Sequence, residues 1–584
     1  MVICQGQLDS VVPLEPATMP GRVVVQWDKE DCADMGIIKV DLLGLGMMAV
    51  LEETIKLIPE VYGEQVDLAH LPPDDPTVFE ALQKADTIAM FQVESRAQMS
   101  SLPRMKPARF YDIVVQVALI RPGPIVGKMV HPYLNRRQGR ERPDCLHPSL
   151  EPVLRRTLGV PLFQEQLLRM AMVVAGFTGG EAEELRRAMG FKRSEKRMAD
   201  IEVRLRAGME LNGIQGAVQD AIVHSITAFA LYGFPESHAA SFALIAYASA
   251  YLKCHYLAAF TCAMLNNQPM GFYAPAILIK DAQRHGLRVL PVDVTCSKWE
   301  CTVVSPPTGH WPPATGHASE ASLRLGLRYA RGLREETARA ILRARAVQPF
   351  SSIDDLAVRV PELRKDEINR LAEIGALNSL DRIHRRDALW QTQRAILPVG
   401  PLLEELEETG APSPLSPMNT EERLWADYRG TGLTVGKHPM AYRRAEMQAL
   451  GVVPAMHLAR IPNGRLVRIA GAVIVRQRPG TAKGFVFLSM EDETGIMNAI
   501  VTPDTFDRYK FEVLGERFLI IDGALQNQDG VVSVKAEHIE ALRAGAAASS
   551  HNFHCSRGAG HQWGDLSHHL REKLARWTAI GRDY

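Results

Sequence analysis

The chain has 584 residues, enough for three to five domains. Its 67 Lys/Arg and 67 Asp/Glu cancel, so there is no global electrostatic signature of a nucleic-acid binder, and any basic surface must be local. It is 46% hydrophobic, has no apolar run of 18 residues and no charged start leading into an apolar core, and its eight cysteines form no C-x-x-C pair; this excludes spanning helices, a signal peptide and a disulfide framework, and predicts a cytoplasmic protein with reduced thiols.

Residues 1–60 read as strands ending in a helix. Ile37, Lys39 and Asp41 fall on one face of a strand, and Ile38, Val40 and Leu42 on the other. Leu43-Gly44-Leu45-Gly46 breaks the strand, and Met47 to Ile58 reads as a helix. From the pattern alone, a half-exposed edge strand with solvated charges accounts for this alternation. A Lys two residues before an Asp at a strand end also suits a metal–phosphate site, Lys meeting phosphate and Asp holding Mg²⁺.

Residues 61–290 have helical periodicity, strongest over Leu162 to Ala175 and over Ala239 to Leu265; the second run is Ala-rich and aromatic, as in a buried helix pair. Pro73-Asp74-Asp75-Pro76 is a proline-bounded turn. Residues 100–157 hold 11 Lys/Arg against four acids. That local excess suits a template duplex or an incoming triphosphate, or simply a solvated face. Arg121 opens a rigid Arg-Pro-Gly-Pro turn ending at Pro124. His238 follows Gly233-Phe234-Pro235, a turn before a helix whose start Glu236 or Ser237 would support.

Residues 291–322 are Pro/Gly/Ser-rich and read as a flexible loop. Residues 323–395 carry 15 Lys/Arg and 10 acids. Within them Leu325 to Arg345 fits helix, glycine turn, helix, and resembles a helix-hairpin-helix element. Such a turn brings backbone N–H groups close to a DNA phosphate. Gly332 fits the first hairpin glycine, Arg334 stands at the second, and Leu371 to Leu377 with Gly375 reads as a second copy. Residues 396–455 read as a linker and short helices. Residues 456–545 switch to five short strands in the order of an OB-fold, a fold that takes single strands on aromatics and cations. Phe485, Phe487 and Phe506 serve equally well as barrel core. The tail, 546–584, holds His551, His554, Cys555, His561, His568 and His569 at spacings unlike a zinc site, and reads as flexible.

Lys39 and Asp41 in their strand, Gln26 to Lys29, Met90 to Arg96 (MFQVESR), Leu119 to Pro124 (LIRPGP), Leu162 to Ala171 and Tyr232 to Tyr247 follow one another in an order that resembles the C-family bacterial DNA polymerases. This is the DNA polymerase III alpha type, and the likeness is strongest to its error-prone class. The resemblance covers roughly residues 1–545. It implies a multidomain α+β fold: a palm remnant (1–60), helical fingers (61–290), a helix-hairpin-helix region (323–395) and an OB-fold (456–545).

The resemblance also implies roles. Lys39 and Asp41 become catalytic, with Asp41 a Mg²⁺ ligand. Arg96, Arg121 and His238 become nucleotide or template residues, and Arg331, Gly332, Arg334 and Gly375 become DNA-binding. Primer-template DNA and dNTPs would be substrates, and accessory mutagenesis proteins and a sliding clamp partners in translesion synthesis. The upstream palm carboxylates and the N-terminal PHP domain of the family have no counterpart in the sequence. The chain is therefore expected to be a C-terminal half, whether fragment, truncated product or piece of a split enzyme. Two-metal catalysis needs several carboxylates, so the isolated chain is expected to be inactive or nearly so without an N-terminal half. The alternative is a non-catalytic DNA-binding or scaffold protein.

Overall fold

The computed structural model describes residues 2–3, 6–17, 22–27, 29–40, 42–120, 127–190, 195–230, 234–304, 321–395, 413–479 and 482–542. Among them no helix is long and apolar enough to cross a membrane. The His-rich tail lies outside the described residues.

Near the N-terminus, Val2–Ile3 (β1) pairs antiparallel with Ile38–Lys39 (β2), with Val2 opposite Lys39. Ile37 is buried with Val12 and Cys32, whereas Ile38 is exposed. The strand is shorter than its alternation predicts, because Leu42 already belongs to a turn, its carbonyl accepting from Leu45 N–H at 3.3 Å. Gly44 closes that turn at φ +89°. A Cβ there would also stand 3.1 Å from the Phe91 ring, so the position requires glycine. Helix α1, Leu45–Tyr62, starts from it and buries Met47, Val50, Leu51, Thr54, Ile58 and Val61 at three- and four-residue intervals.

The fingers continue with α2 (Pro76–Gln83), α3 (Arg96–Met105), α4 (Phe110–Leu119) and α5 (Gly127–Arg137). The two carboxylates of the Pro73–Pro76 turn are helix caps: Asp75 accepts from Val78 N–H at 3.1 Å to start α2, and Asp74 accepts from Phe110 N–H at 2.7 Å to start α4. Helices α6 (Gln164–Ala175), α7 (Gly179–Gly190), α8 (Glu195–Leu211) and α9 (Gly216–Ala230) close a satellite core that includes Leu167, Met170, Leu185, Leu205 and Ile222. Helices α10 (Glu236–His255) and α11 (Leu257–Asn266) form the expected buried pair. Ala243, Ala246 and Ala250 of α10 share a core with Ile113 and Val117 of α4, while Ala259, Phe260 and Ala263 of α11 join Met47, Leu51 and Ile58 of α1. Neither Glu236 nor Ser237 caps α10. Pro235 occupies the cap position with no side-chain acceptor, and Glu165 of α6 reaches across to accept from Glu236 N–H at 2.9 Å.

Helix α12 (Pro275–Arg284) leads to a three-stranded sheet of Arg288–Leu290 (β3), Thr302–Val304 (β4) and Ser322–Arg324 (β5), with β5 in the centre. This corrects the loop predicted from residue 291: Val292, Val294 and Cys301 are core, and β4 lies within the stretch. Residues 305–320 fall outside the described set. The first helix predicted in Leu325 to Arg345 is also absent, apart from one 3-10 turn, Leu327–Tyr329. The amides of Leu327 and Arg328 donate to the carbonyls of Lys298 (2.8 Å) and Trp299 (3.0 Å), so the neighbouring segment takes the bonds a helix would need. Beyond it lie α13 (Glu335–Val347), α14 (Ile353–Arg359), α15 (Lys365–Glu373), α16 (Arg385–Ala395) and α17 (Thr420–Gly430).

The last unit is a closed barrel of β6 (Leu466–Gln477), β7 (Val486–Glu491), β8 (Ile496–Val501), β9 (Phe518–Gln528) and β10 (Val531–Ala541), ordered β8-β10-β9-β6-β7. Alternation sends Val486, Leu488, Met490, Met497, Ala499, Val501, Leu519, Ile521 and Val534 inward. Phe506 is core as well, whereas Phe487 points outward. A bulge between Val473 and Val475 leaves both Ile474 and Val475 on the outside, where with Ile496 they pack on the α1/α11 core. The β7–β8 turn is pinned by the buried Asp492, which accepts from Thr494 N–H (2.7 Å), Thr494 Oγ1 (2.6 Å), Gly495 N–H (3.0 Å) and Ala455 N–H (3.0 Å), and faces Arg444 Nη2 at 3.0 Å.

Candidate nucleic-acid interface

The residues flanking the two glycine turns of the 323–395 region, Leu333, Ile374 and Ala376, pack in one core. Gly332 is exposed at φ +88° with nothing within 4 Å of where a Cβ would stand, so its backbone can be approached from solvent. Arg331 beside it is exposed, donates its N–H to Gly430 O at 2.7 Å and lays its guanidinium against Gly432. Arg334 is the N-cap residue of α13, and both its amide (2.9 Å) and its guanidinium (3.0 Å through Nε, 3.0 Å through Nη2) donate to Glu367 of α15. Glu367 also accepts from Arg364 N–H at 2.9 Å and Thr337 Oγ1 at 3.2 Å. Burial pushes its carboxyl up, and the Arg334 side chain together with the Arg334 and Arg364 amides outweighs this and holds it below the usual range. Gly375, at φ +81°, is half-buried, with Arg385 Nε 2.8 Å from its Cβ position, and Arg385 pairs with Asp427 at 2.7 Å. The exposed turn is thus the one at Gly332, and the half-exposed Arg334 is engaged as a brace on Glu367. Sequence reasoning missed Glu367, whose signal was an acid at the third position of α15, ahead of Ile368 and Leu371 in the core.

In the fingers the candidate residues separate. Arg96 begins α3 and lies against the barrel: its guanidinium sits 4.5 Å over the Phe487 ring, and Nη1 donates to Ala499 O at 3.4 Å. Burial lowers its pKa to about 10, and among the described residues no carboxylate pairs with it. His238, half-buried in the first turn of α10, lies between the rings of Phe234 (5.2 Å) and Phe242 (4.3 Å). Two residues before it, Glu236 accepts from Tyr111 Oη at 2.8 Å, and Arg156 stacks 3.7 Å over the Tyr111 ring. Arg121 and Asp41 lie outside the described residues, and Lys39 is placed through its backbone in β2. Much of the 100–157 cation excess is engaged internally. Arg136 meets Glu141 and two backbone carbonyls, Arg137 meets Asp112 and Met105 O, and Arg140 meets Asp529 of the barrel.

A charge cluster built on the buried pair Lys253 and Asp281 ties α10 to α12. Lys253 Nζ donates to Asp281 Oδ2 (2.8 Å) and Ile88 O (2.9 Å) and stands 3.6 Å from Asp86. His285 Nε2 meets Asp86 at 2.5 Å. From the same helix, Arg284 reaches Glu491 of the barrel at 2.6 Å.

The family models match in chain order. "Bacterial DNA polymerase III alpha NTPase domain" matches residues 1–44 and "Bacterial DNA polymerase III alpha subunit finger domain" residues 47–213. "Helix-hairpin-helix motif" matches residues 286–388, and "OB-fold nucleic acid binding domain" residues 467–542. An error-prone DNA polymerase of Anaeromyxobacter sp. (strain K) is 47% identical over 564 residues, which is 95% of this chain and 49% of that one. The chain matches the bacterial DNA polymerase III alpha family and resembles its error-prone members. Another error-prone DNA polymerase, of Aromatoleum aromaticum, is 45% identical over 579 residues, covering 94% of this chain and 53% of its own. The chain thus spans about half the length of the curated relatives it matches, and it matches their C-terminal half. Asparaginyl-tRNA synthetase from Pyrococcus horikoshii overlaps 16% of this chain and 22% of its own at 28% identity with a TM-score of 0.14, too little to bear on the fold.

A polymerase of this family implies divalent metal, and the described residues do not supply its site. Their one group of three ligating side chains is Asp86, Asp281 and His285. Lys253 already provides the countercharge there, and none of the three residues belongs to β2.

Proposed function

We propose that this chain supplies the fingers, helix-hairpin-helix and OB portions of an error-prone, DNA-directed DNA polymerase that acts in translesion synthesis. The observation that carries this reading is the ordered match along 95% of the chain to error-prone polymerases at 47% identity. The resemblance gives Asp41 the role of a Mg²⁺ ligand and Lys39 that of a phosphate contact. His238, Arg121 and Arg96 serve the nucleotide and template. Arg331 and Gly332, exposed on their turn, contact duplex phosphate, while Arg334 and Gly375 shape the hairpins behind them. Cytoplasmic location, a sliding clamp and accessory mutagenesis proteins belong to the same reading.

Primer extension with Mg²⁺ and dNTPs tests it. The purified chain is assayed alone and mixed with the N-terminal half of the Anaeromyxobacter relative, each with Asp41→Ala as control. Extension by the mixture and its loss in Asp41→Ala are expected. Duplex binding with no extension in either case would leave a non-catalytic DNA-binding protein, and extension unaffected by Asp41→Ala would overturn the role of Asp41.

A further inference from the structure

In an OB barrel, single strands lie across the second and third strands and the loop between the fourth and fifth. In this chain that face is covered. The outward residues of β7 are Phe487, Ser489 and Glu491, since Val486, Leu488 and Met490 fill the core. On a free barrel they would be solvated; here Ser489 is 7% and Glu491 3% exposed. Arg96 covers Phe487, and Arg284 and His438 stand over Glu491. The β9–β10 turn is held too: Asp529 pairs with Arg140, and a Cβ on Gly530 would stand 3.3 Å from the Cβ of Pro103 in α3.

One of these contacts resembles a nucleic-acid contact. The guanidinium over the Phe487 ring occupies the place a base would take. The same guanidinium, desolvated and without a carboxylate among the described residues, is a ready phosphate ligand. We infer that the ligand face of the barrel is latched shut against the fingers, and that single-stranded nucleic acid takes Phe487 by displacing Arg96 as the latch opens. This rests on the reading of the barrel as a single-strand module. Binding to a face open only part of the time is weakened by the closed fraction, so loosening the latch strengthens binding.

The test is fluorescence anisotropy of a labelled oligo(dT) with the full chain. Arg140→Asp sets like charges against Asp529. It removes a cation, so a purely electrostatic surface would bind less, whereas an opened latch binds about two- to fivefold tighter, the scale of one part-exposed ion pair. Adding Phe487→Ala to Arg140→Asp should erase the gain. Pro103→Cys with Gly530→Cys places two sulfurs near the span a disulfide needs. The oxidised form should bind at least tenfold more weakly than the same protein reduced, which controls for folding. Binding equal to or weaker than the parent in Arg140→Asp, a gain that survives Phe487→Ala, or identical binding by oxidised and reduced protein would each overturn the latch. Failure of every form to bind oligo(dT) would overturn it as well, and duplex binding retained in the same samples would leave the polymerase reading standing.

Discussion

Replacing Lys253 with Met tests the charge cluster that joins α10 to α12. The substitution keeps the aliphatic length and removes the ammonium. The side chain is 5% exposed and serves Asp281, Asp86 and Ile88 O at once. Breaking a buried pair costs about 3–5 kcal/mol, because the remaining ion stays desolvated. Arg284 at 3.7 Å from Asp281 and His285 on Asp86 remain, so the lower end, about 3 kcal/mol, is expected. The pH dependence has a definite sign. Burial pushes Asp86 up, but His285 and Lys253 hold it well below the usual range, so its contribution is present above the ordinary carboxylate pKa and is lost as pH falls through the lowered one. The bond to Asp86 raises His285, whose contribution is full below its ordinary pKa and is lost as pH rises through the raised one. In Lys253→Met the carboxylate left behind takes up a proton more easily, so the penalty should be larger at pH 8 than at pH 5. Native-state hydrogen exchange of the α10 and α12 amides measures it. A loss under about 1 kcal/mol at pH 8, or no recovery in Lys253→Met with Asp281→Asn, would refute the reasoning.

Asp492→Ala removes the acceptor of four donors in the β7–β8 turn and leaves Arg444 with Glu493 alone. A loss of about 3–5 kcal/mol, read as faster exchange of the β7 and β8 amides, is expected. Glu367→Gln should loosen both glycine turns by about 2 kcal/mol; the parent's contribution from Glu367 is present above the ordinary glutamate pKa and lost as pH falls through the lowered one, which urea unfolding at several pH values would show. Arg331→Ala should weaken duplex binding equally across sequences and flatten its salt slope by about one unit, as followed by anisotropy titration.

How much was legible in the sequence depended on how far apart the partners lie. The five barrel strands announced themselves through period-two alternation and the Asp529-Gly530 turn, and Gly332 and Gly375 both take the left-handed φ that glycine allows, +88° and +81°, although only a 3-10 turn precedes Gly332. The buried α10/α11 pair was visible from its small apolar residues. The resemblance gives Arg96 a nucleotide or template role, and nothing local reveals that its ring partner lies on a barrel strand far downstream. The acid that engages Arg334 sits in another helix, so an exposed cation and a brace look alike in sequence. Leu325 to Tyr329 has helical spacing, yet its amides were claimed by Lys298 and Trp299. The fate of Asp41 and Arg121 turns on residues outside the described set.

The bulge in β6 bears on how this barrel could be used by a protein engineer. By topology, residues 466–542 are a self-contained unit that invites excision or grafting. By surface they are not, because the extra residue turns Ile474 and Val475 outward together, beside Ile496 and Phe487, onto a wall that belongs to the fingers. Cut free, the barrel would carry a greasy flank with a stranded Glu491 at its edge, the kind of patch that drives self-association. Trimming the bulge by one residue would restore plain alternation there, and a soluble stand-alone barrel would start from that deletion together with polar replacements at Ile474 and Ile496.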